Sequence, residues 1–404
     1  MSPICRNMDL AAKLGKTKLN FLALPKCKRR HNMESIIYVG MDVHKETYSI
    51  CCYKSSEDKN YYEKKMKASS TNVIKYLKSV EKEFGEETMF LCGYEAGPTG
   101  FGLYRDLQKA GYACVVMAPT SLKKASGKRV KNDTVDARYL AKTLFTKDYS
   151  EVHVTTKHEE AIKEYCRMRL SIKKELKVAK QVLQAFLLRQ DKKYTEGTTY
   201  WTINHKKWLA KLHFEESYLQ EAFNEYMITI NTLESRLKNI ENRIEEIAKD
   251  SAVKDKVDKL VCFCGIETLT AVTIAAEIGD FNRFKKACHF SNYIGFGWAE
   301  DSSGQKERIL GMNKCGNINI RRLLTESAKS IKKANARGKK SKRLLDRQKG
   351  KSPEIIAYAD KCRNRLKSKM LHLESKGKHS NVSSTAAARE LSCFIWGMMT
   401  NNIA

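Results

Sequence analysis

The amino-acid sequence predicts an α/β domain followed by a mainly helical region, and three observations support this fold class. Short β-rich runs alternate with helical stretches over residues 34–150. Apolar residues recur every three or four positions through residues 219–247, and helix-forming segments dominate from residue 256 onward. A chain of 404 residues can bury more than one core, so we expect two or three domains.

The α/β region begins with a predicted β-hairpin, in which the apolar run 36–42 is followed almost at once by the β-rich run 47–53. The elements predicted after it are a helix at 72–84, a strand at 88–95, a helix at 100–110, a strand at 113–117 and a helix at 133–144. This order fits an RNase H-like fold, and it also fits other α/β layouts in which helices cover a mixed sheet.

Four carboxylates have local settings that suit metal-dependent phosphodiester chemistry. Asp42 and Glu95 each end an apolar strand, whereas Asp133 and Asp136 stand three apart in the first turn of a predicted helix and share one side of it. Like charges brought close together require a cation or protons, and carboxylate oxygens are ligands that Mg²⁺ accepts. The four acids therefore predict a site for one or two Mg²⁺ ions, which can stabilise the attacking and leaving oxygens of a phosphoryl displacement.

His44, two residues after Asp42, has two interpretations. It can act as a proton shuttle or position a phosphate. It can equally be a structural partner at the end of the strand.

The charge of the chain indicates a polyanionic partner. The formal net charge is +29 and the sequence pI is about 9.5, which favours nucleic acid. A dense basic strip, residues 321–351, carries 13 Lys or Arg against two acids and suits phosphate contacts. No apolar run approaches the length of a membrane span, so no membrane partner is expected. The 13 cysteines lack any C-x-x-C pair, which favours reduced intracellular thiols over a structural zinc site.

Residues 1–33 differ from the rest of the chain. Their first 32 positions carry eight Lys or Arg against one Asp and show no clear periodicity. Two interpretations remain: Met33 is the true start of the protein, or the segment is a disordered basic extension.

Residues 151–255 are expected to form a coiled-coil helical region. Over four heptads, apolar residues alternate at spacings of four and three: Leu219, Phe223, Tyr226, Ile230, Leu233, Leu237, Ile240, Ile244 and Ile247. A shorter run at 172–186 has the same period, and the polar stretch 192–204 is expected to connect the two arms of a helical hairpin. The repeat can serve dimerisation, or it can pair two antiparallel helices within one chain.

Six short motifs follow one another along residues 36–330: Gly40-Met41-Asp42-Val43-His44-Lys45, Tyr94-Glu95-Ala96-Gly97-Pro98-Thr99-Gly100, Lys131-Asn132-Asp133-Thr134-Val135-Asp136-Ala137-Arg138, Ala276-Glu277-Ile278-Gly279-Asp280-Phe281, Ser302-Ser303-Gly304 and Lys314-Cys315-Gly316-Asn317. Together and in this order, they resemble the motifs of the DEDD transposases of the Piv/MooV-like insertion-sequence family. Two departures from the family pattern occur. Asn132 stands where many relatives carry Thr, and the loop at 298–301 lacks the common proline.

The resemblance implies an RNase H-like (RuvC-like) catalytic domain at 34–150, with Mg²⁺ bound by Asp42, Glu95, Asp133 and Asp136. It further implies the coiled-coil region at 151–255 and a mainly helical C-terminal transposase domain at 256–380 that supplies a nucleophilic serine. A helical tail at 381–404 follows, without an assigned role. By position Ser303 is the expected nucleophile, with Ser302 as the alternative.

The same resemblance implies an RNA-guided prokaryotic recombinase that excises and inserts a mobile element. Its expected partners are DNA (element ends and target), a guide RNA and further copies of the chain in a dimer or tetramer. Its expected location is the cytoplasm, at the nucleoid. Two other functions stay open: a hydrolytic Holliday-junction-type nuclease that uses the four acids alone, and a non-catalytic nucleic-acid-binding scaffold.

Overall fold

The structure, a computed structural model, describes residues 36–54, 59–85, 88–122, 132–300, 308–333 and 339–403. Between residues 154 and 155 the chain divides into two compact units. The predicted basic extension at 1–33 lies outside the described residues, as do both candidate nucleophiles, Ser302 and Ser303.

A five-stranded mixed sheet forms the centre of the first unit, with the strand order β3-β2-β1-β4-β5. The strands are β1 (Ile36–Val43), β2 (Thr47–Lys54), β3 (Lys59–Lys67), β4 (Met89–Glu95) and β5 (Ala113–Met117). β1 pairs antiparallel with β2 and parallel with β4, so the predicted hairpin is confirmed and lies at the middle of the sheet.

Helices cover both faces of this sheet. α1 (Ser70–Phe84) and α2 (Gly102–Lys109) pack on one face, and α3 (Asp133–Thr146) packs on the other. Alternate residues of β1 supply the two cores: Val39 and Met41 face α1 and α2, whereas Tyr38 faces α3. The mixed α/β class is thus confirmed, and the RNase H-like assignment stays a prediction.

Strand β3 has no counterpart among the elements predicted from the sequence. Its sequence, KNYYEKKMK, is rich in lysine because β3 is an edge strand, and its side chains from Glu63 to Lys65 are exposed. Lysine is common on edge strands, where it opposes pairing with another chain, so the apolar alternation that reveals a half-buried strand is absent.

The second unit begins with the predicted helical hairpin. α4 (Lys157–Arg189) and α6 (Ser217–Ile247) run antiparallel, and α5 (Ile203–Lys211), which lies between them in sequence, begins at the end of the predicted connection 192–204. Ion pairs tie the arms together, including Arg169 to Glu241 at 2.6 Å and Lys180 to Glu234 at 2.6 Å. The nine heptad residues all lie in or against the core of this unit. Packing within one chain therefore accounts for the repeat.

The remaining elements of this unit are short helices, a small hairpin and two longer helices. They are α7 (Lys254–Leu260), α8 (Thr268–Ile278), α9 (Ala287–Ile294), β6 (Trp298–Glu300), β7 (Ile309–Met312), α10 (Ile318–Lys333), α11 (Lys342–Gln348), α12 (Pro353–Ser375) and α13 (Ser380–Met399). Leu391 and Ile395 of α13 are fully buried in the core that also contains the hairpin. The stretch expected to be a tail is therefore part of the second unit. Within the described ranges, no helix is long and apolar enough to cross a membrane.

His205 on α5 is fully buried among aromatic rings. The ring centroids of Tyr194, Tyr200, Trp201 and Trp208 lie 4.9, 5.0, 5.3 and 5.5 Å from that of His205. Neither ring nitrogen has a hydrogen-bond partner in the described part of the chain, and burial lowers the pKa of His205. The neutral ring is therefore the form that this cluster accommodates.

We expect the free energy of unfolding to fall as the pH decreases below about 6.5, in part because of His205. The unfolded chain protonates this residue near that pH, whereas the folded chain does so only at lower pH. His205→Phe removes this contribution, so urea unfolding at pH 7.5 and 5.5 should differ less in the variant than in the wild type. His213→Phe, at an exposed histidine, is the control. An unchanged pH dependence in His205→Phe would contradict the argument.

Candidate metal centre

The structure brings together two of the predicted acids from distant parts of the chain. Asp42 lies near the end of β1, and Asp133 is the first residue of α3. A carboxylate oxygen of each, together with a ring nitrogen of His44, lies within 4.8 Å of the others. His44 Nε2 and Asp42 Oδ2 share a hydrogen bond of 3.0 Å. The residue that the sequence left with two interpretations is thus a direct neighbour of Asp42.

A close approach of α3 to the sheet places Asp133 beside Asp42. A Cβ atom at Gly40 would lie 2.2 Å from Ala137 O and 2.2 Å from Ala141 N, so this glycine is needed for the helix backbone to rest on β1. At the start of the helix, the Asn132 side chain accepts a hydrogen bond from Thr134 N at 3.2 Å. This cap holds the first turn, which carries the acids, at the end of the strand.

A row of paired residues runs from Asp42 across the neighbouring strands of the sheet. Asp42 on β1 pairs with Ser49 on β2, which pairs with Lys65 on β3. Paired residues in adjacent strands point to the same face, here the face covered by α3. Lys65 Nζ reaches Asp133 Oδ2 at 2.7 Å. The row therefore places the ammonium group of Lys65 against the carboxylate of Asp133.

The carboxylates respond to this environment in opposite ways. Burial raises the pKa of Asp42; His44 offsets part of the rise, and the charges of Asp136 and Asp133 add to it. The hydrogen bond and charge of Lys65 lower the pKa of Asp133. Burial thus disfavours the charged form of Asp42, and a cation bound beside it would stabilise that form.

The donor set fits a hard divalent cation. Carboxylate oxygens suit Mg²⁺ and Mn²⁺, whereas an imidazole nitrogen suits Mg²⁺ less, so Asp42 and Asp133 are the stronger candidates. Ser49, between Asp42 and Lys65 in the row, is 3% exposed, and its Oγ has no hydrogen-bond partner among the described residues. A buried hydroxyl without a partner is uncommon, and a hydrated ion beside Asp42 would supply one.

The other two predicted ligands lie near this group without being within 4.8 Å of all three members. Asp136 is one turn along α3 and close enough for its charge to raise the pKa of Asp42. Glu95 ends β4, where the pair Met41 and Tyr94 places it next to Asp42 in register. Its side chain is exposed. All four acids thus belong to one edge of the first unit.

Sequence reasoning did not find Lys65 or Ser49. Neither residue has a distinctive local signal, since Lys65 is one of four lysines in β3 and Ser49 interrupts an apolar run. Knowledge of the strand pairing identifies both at once. The register, rather than the composition, is the missing signal.

Comparisons with known proteins give a consistent result. Residues 259–343 match the family model described as the transposase IS116/IS110/IS902 family, and residues 39–190 match the DEDD_Tnp_IS110 model, described as a transposase. The chain is 33% identical over 348 residues to the transposase for insertion sequence element IS1533 of Leptospira borgpetersenii, covering 86% of this chain and 99% of the relative. It is 32% identical over 362 residues to the putative transposase y4qE of Sinorhizobium fredii, covering 89% and 88%. A more distant similarity, 25% over 349 residues, links it to the transposase for IS1111A of Coxiella burnetii.

Proposed function

Because the chain belongs to the IS116/IS110/IS902 family of transposases, we propose that the acidic group at the end of β1 is the metal centre with which it cleaves and rejoins DNA. One observation carries the proposal: Asp42 and Asp133, from separate elements, have carboxylate oxygens within 4.8 Å of each other and of His44. Two carboxylates this close repel each other unless a cation binds between them, and such groups are common at functional sites.

Each residue of the group has a distinct part in this proposal. Asp42 and Asp133 bind one or two Mg²⁺ ions, with Asp136 and Glu95 as further ligands. His44 orients the Asp42 carboxylate through their hydrogen bond, and Lys65 orients Asp133. Bound Mg²⁺ supplies Lewis acidity to the phosphoryl oxygens and stabilises the charge that develops on them.

The proposed nucleophile is Ser303, with Ser302 as the alternative. Support comes from the resemblance of the segment Ser302-Ser303-Gly304 to the family motif. The serine Oγ loses its proton and forms a bond to phosphorus, while the bond from phosphorus to one deoxyribose oxygen breaks and that oxygen takes up a proton. The reverse step rejoins a strand without an external energy source.

We also propose that an RNA encoded by the element selects the DNA. The support is the family resemblance together with the net charge of +29, which suits a protein that holds two nucleic acids. Where base pairing reads the sequence, the protein need only recognise backbone and shape.

Assembly into a dimer or tetramer is a further part of the proposal. The heptad residues pack within one chain. The hairpin nevertheless exposes large apolar side chains, among them Val178, Leu188 and Ile228, which are 50%, 64% and 55% exposed. Apolar surface of this kind on long helices supports association with a second copy.

A cleavage assay tests the serine step. Wild-type protein, element-end DNA, the flanking RNA and Mg²⁺ should give protein joined covalently to DNA, detected as a shifted band that protease removes. We expect the adduct to vanish in Ser303→Ala and to persist in Ser302→Ala. If the two variants exchange behaviour, Ser302 is the nucleophile. Cut DNA without an adduct, and unaffected by either change, would instead indicate a hydrolytic nuclease.

A further inference from the structure

A pocket of about 300 Å³ in the second unit is lined by three cationic side chains, Lys314, Arg321 and Arg322. We propose that it binds one phosphodiester group of a nucleic-acid strand. The inference rests on the proposed function only in taking nucleic acid as the partner. It concerns a surface apart from the acidic group, and no chemical step depends on it.

The cationic side chains that line the pocket outnumber the acids that line it, by three to one. Among the described residues, no carboxylate lies within 4.0 Å of the charged nitrogens of Lys314, Arg321 or Arg322. Glu326 is the one acid among the residues that line the pocket, and Lys329 already contacts it at 3.3 Å. Three cations around one small cavity repel each other, so a bound anion stabilises them.

Lys314 is held at the pocket by a strained backbone. Its φ is 59°, in the left-handed region that a lysine seldom adopts at a cost of about 1 kcal/mol or more. The adjoining turn is fixed by Cys315 N, which donates to Asn313 Oδ1 at 3.1 Å, and by Gly316, where a Cβ would meet Tyr293 O at 2.1 Å. The backbone strain at Lys314 is maintained by these contacts of the turn. We take this as a sign that the position of the Lys314 side chain matters for function.

A buried carboxylate holds the next residues of this turn. Glu277, 4% exposed, accepts hydrogen bonds from Arg167 at 2.7 and 3.1 Å and from Asn317 Nδ2 at 2.9 Å. Asn317 Oδ1 in turn accepts from the backbone N–H groups of Asn319 and Ile320, at the start of α10. Two motifs that are far apart in the sequence are thus joined, and together they position the helix that carries Arg321 and Arg322.

The two arginines have different roles. Arg321 donates to Ile294 O at 2.9 Å and lies against Gly295, where a Cβ would be 2.4 Å from its guanidinium nitrogen. It therefore forms a fixed wall of the pocket. The side chain of Arg322 is exposed and has no hydrogen-bond or ion-pair partner among the described residues. Arg322 and Lys314 are the groups free to contact a phosphate, and the planar guanidinium can donate two hydrogen bonds to it.

Equilibrium binding by the full chain, measured without divalent metal, tests the pocket. The probes are a duplex DNA and a single-stranded RNA of arbitrary sequence, each titrated at several salt concentrations. The variants are Arg322→Gln and Lys314→Gly, since glycine keeps the left-handed backbone and removes only the side chain. Arg236→Gln is the matched control, because Arg236 is an exposed cation of α6 that lies outside both the pocket and the basic strip 321–351.

We expect each pocket variant to lose affinity by roughly tenfold near 0.1 M salt and to reduce the slope of log K against log[salt] by about 0.7 to 0.9, the contribution of one phosphate contact. A loss with DNA alone assigns the phosphate to DNA, and a loss with RNA alone assigns it to RNA. Pocket variants that bind both probes as Arg236→Gln does would contradict the proposed phosphate site, and they would not bear on the metal centre. Failure of the wild type to bind either probe would overturn the proposed partner itself.

Discussion

Asp42→Asn is expected to reduce the single-turnover rate of DNA cleavage by about 10³-fold or more. The amide keeps the size of the side chain but cannot supply the charge that holds the cation, and a metal ion contributes several kcal/mol to phosphoryl transfer, where each 1.36 kcal/mol is tenfold in rate. The fold should survive, since the amide removes a charge that burial disfavours and that Asp136 and Asp133 repel. Thermal unfolding in the absence of divalent metal should therefore show a variant no less stable than the wild type.

Glu46→Gln is the matched control for this variant. Glu46 is an acid four residues further along the chain, its side chain is 81% exposed, and it lies outside the group formed by Asp42, His44 and Asp133. Its replacement should leave the cleavage rate within about twofold. Equal cleavage rates in Asp42→Asn and Glu46→Gln would show that Asp42 takes no part in the reaction.

Gly40→Ala is expected to lower the free energy of unfolding of the first unit by about 2–3 kcal/mol. The new Cβ would lie 2.2 Å from two backbone atoms of α3, Ala137 O and Ala141 N, and neither can turn aside as a side chain can. The helix must therefore move away from β1, and Asp133 moves with it. We expect the variant to lose metal-dependent cleavage even where it remains folded, as urea unfolding and the cleavage assay together would show.

Gly93→Ala separates this effect from a general cost of replacing glycine in the sheet. Gly93 pairs with Gly40 in the neighbouring strand and faces the same helix, but its Cβ would meet only the side-chain end of Leu144, at 2.7 Å. Leu144 is fully buried, so displacing it has a cost, but a side chain can turn aside more readily than a helix backbone. The loss of stability should therefore be smaller than in Gly40→Ala, and cleavage should persist. Similar losses in both variants would show that the backbone approach at Gly40 does not position the acids.

The sequence predicted the parts of the fold and site that rest on local pattern. Asp42 follows an apolar run and lies at the end of a central strand, and Asp133 and Asp136 occupy the first turn of a helix, as their spacing indicates. The strand at 113–117 has the predicted bounds. Each of these features is encoded within a few neighbouring residues, where alternation and helical period are informative.

What the sequence did not predict depends on contacts between distant segments. Lys65 reaches Asp133 only because the edge strand β3 pairs in a particular register, and an exposed, lysine-rich strand has no apolar alternation. The aromatic cluster around His205 forms on α5, a short helix that begins at the end of the polar stretch 192–204 and was not predicted. The hydrogen bond from Asn317 to Glu277 joins two motifs that are 40 residues apart in the sequence.

Titration calorimetry of Mg²⁺ into the wild type, Asp42→Asn and Asp133→Asn tests most directly whether residues from β1 and α3 form one cation site. We predict binding by the wild type and its loss in both variants, because each removes one of the two carboxylates that the structure brings together. Mg²⁺ binding of unchanged affinity in Asp133→Asn, with loss in Asp42→Asn alone, would contradict a shared site. Unchanged binding in both would place the metal elsewhere.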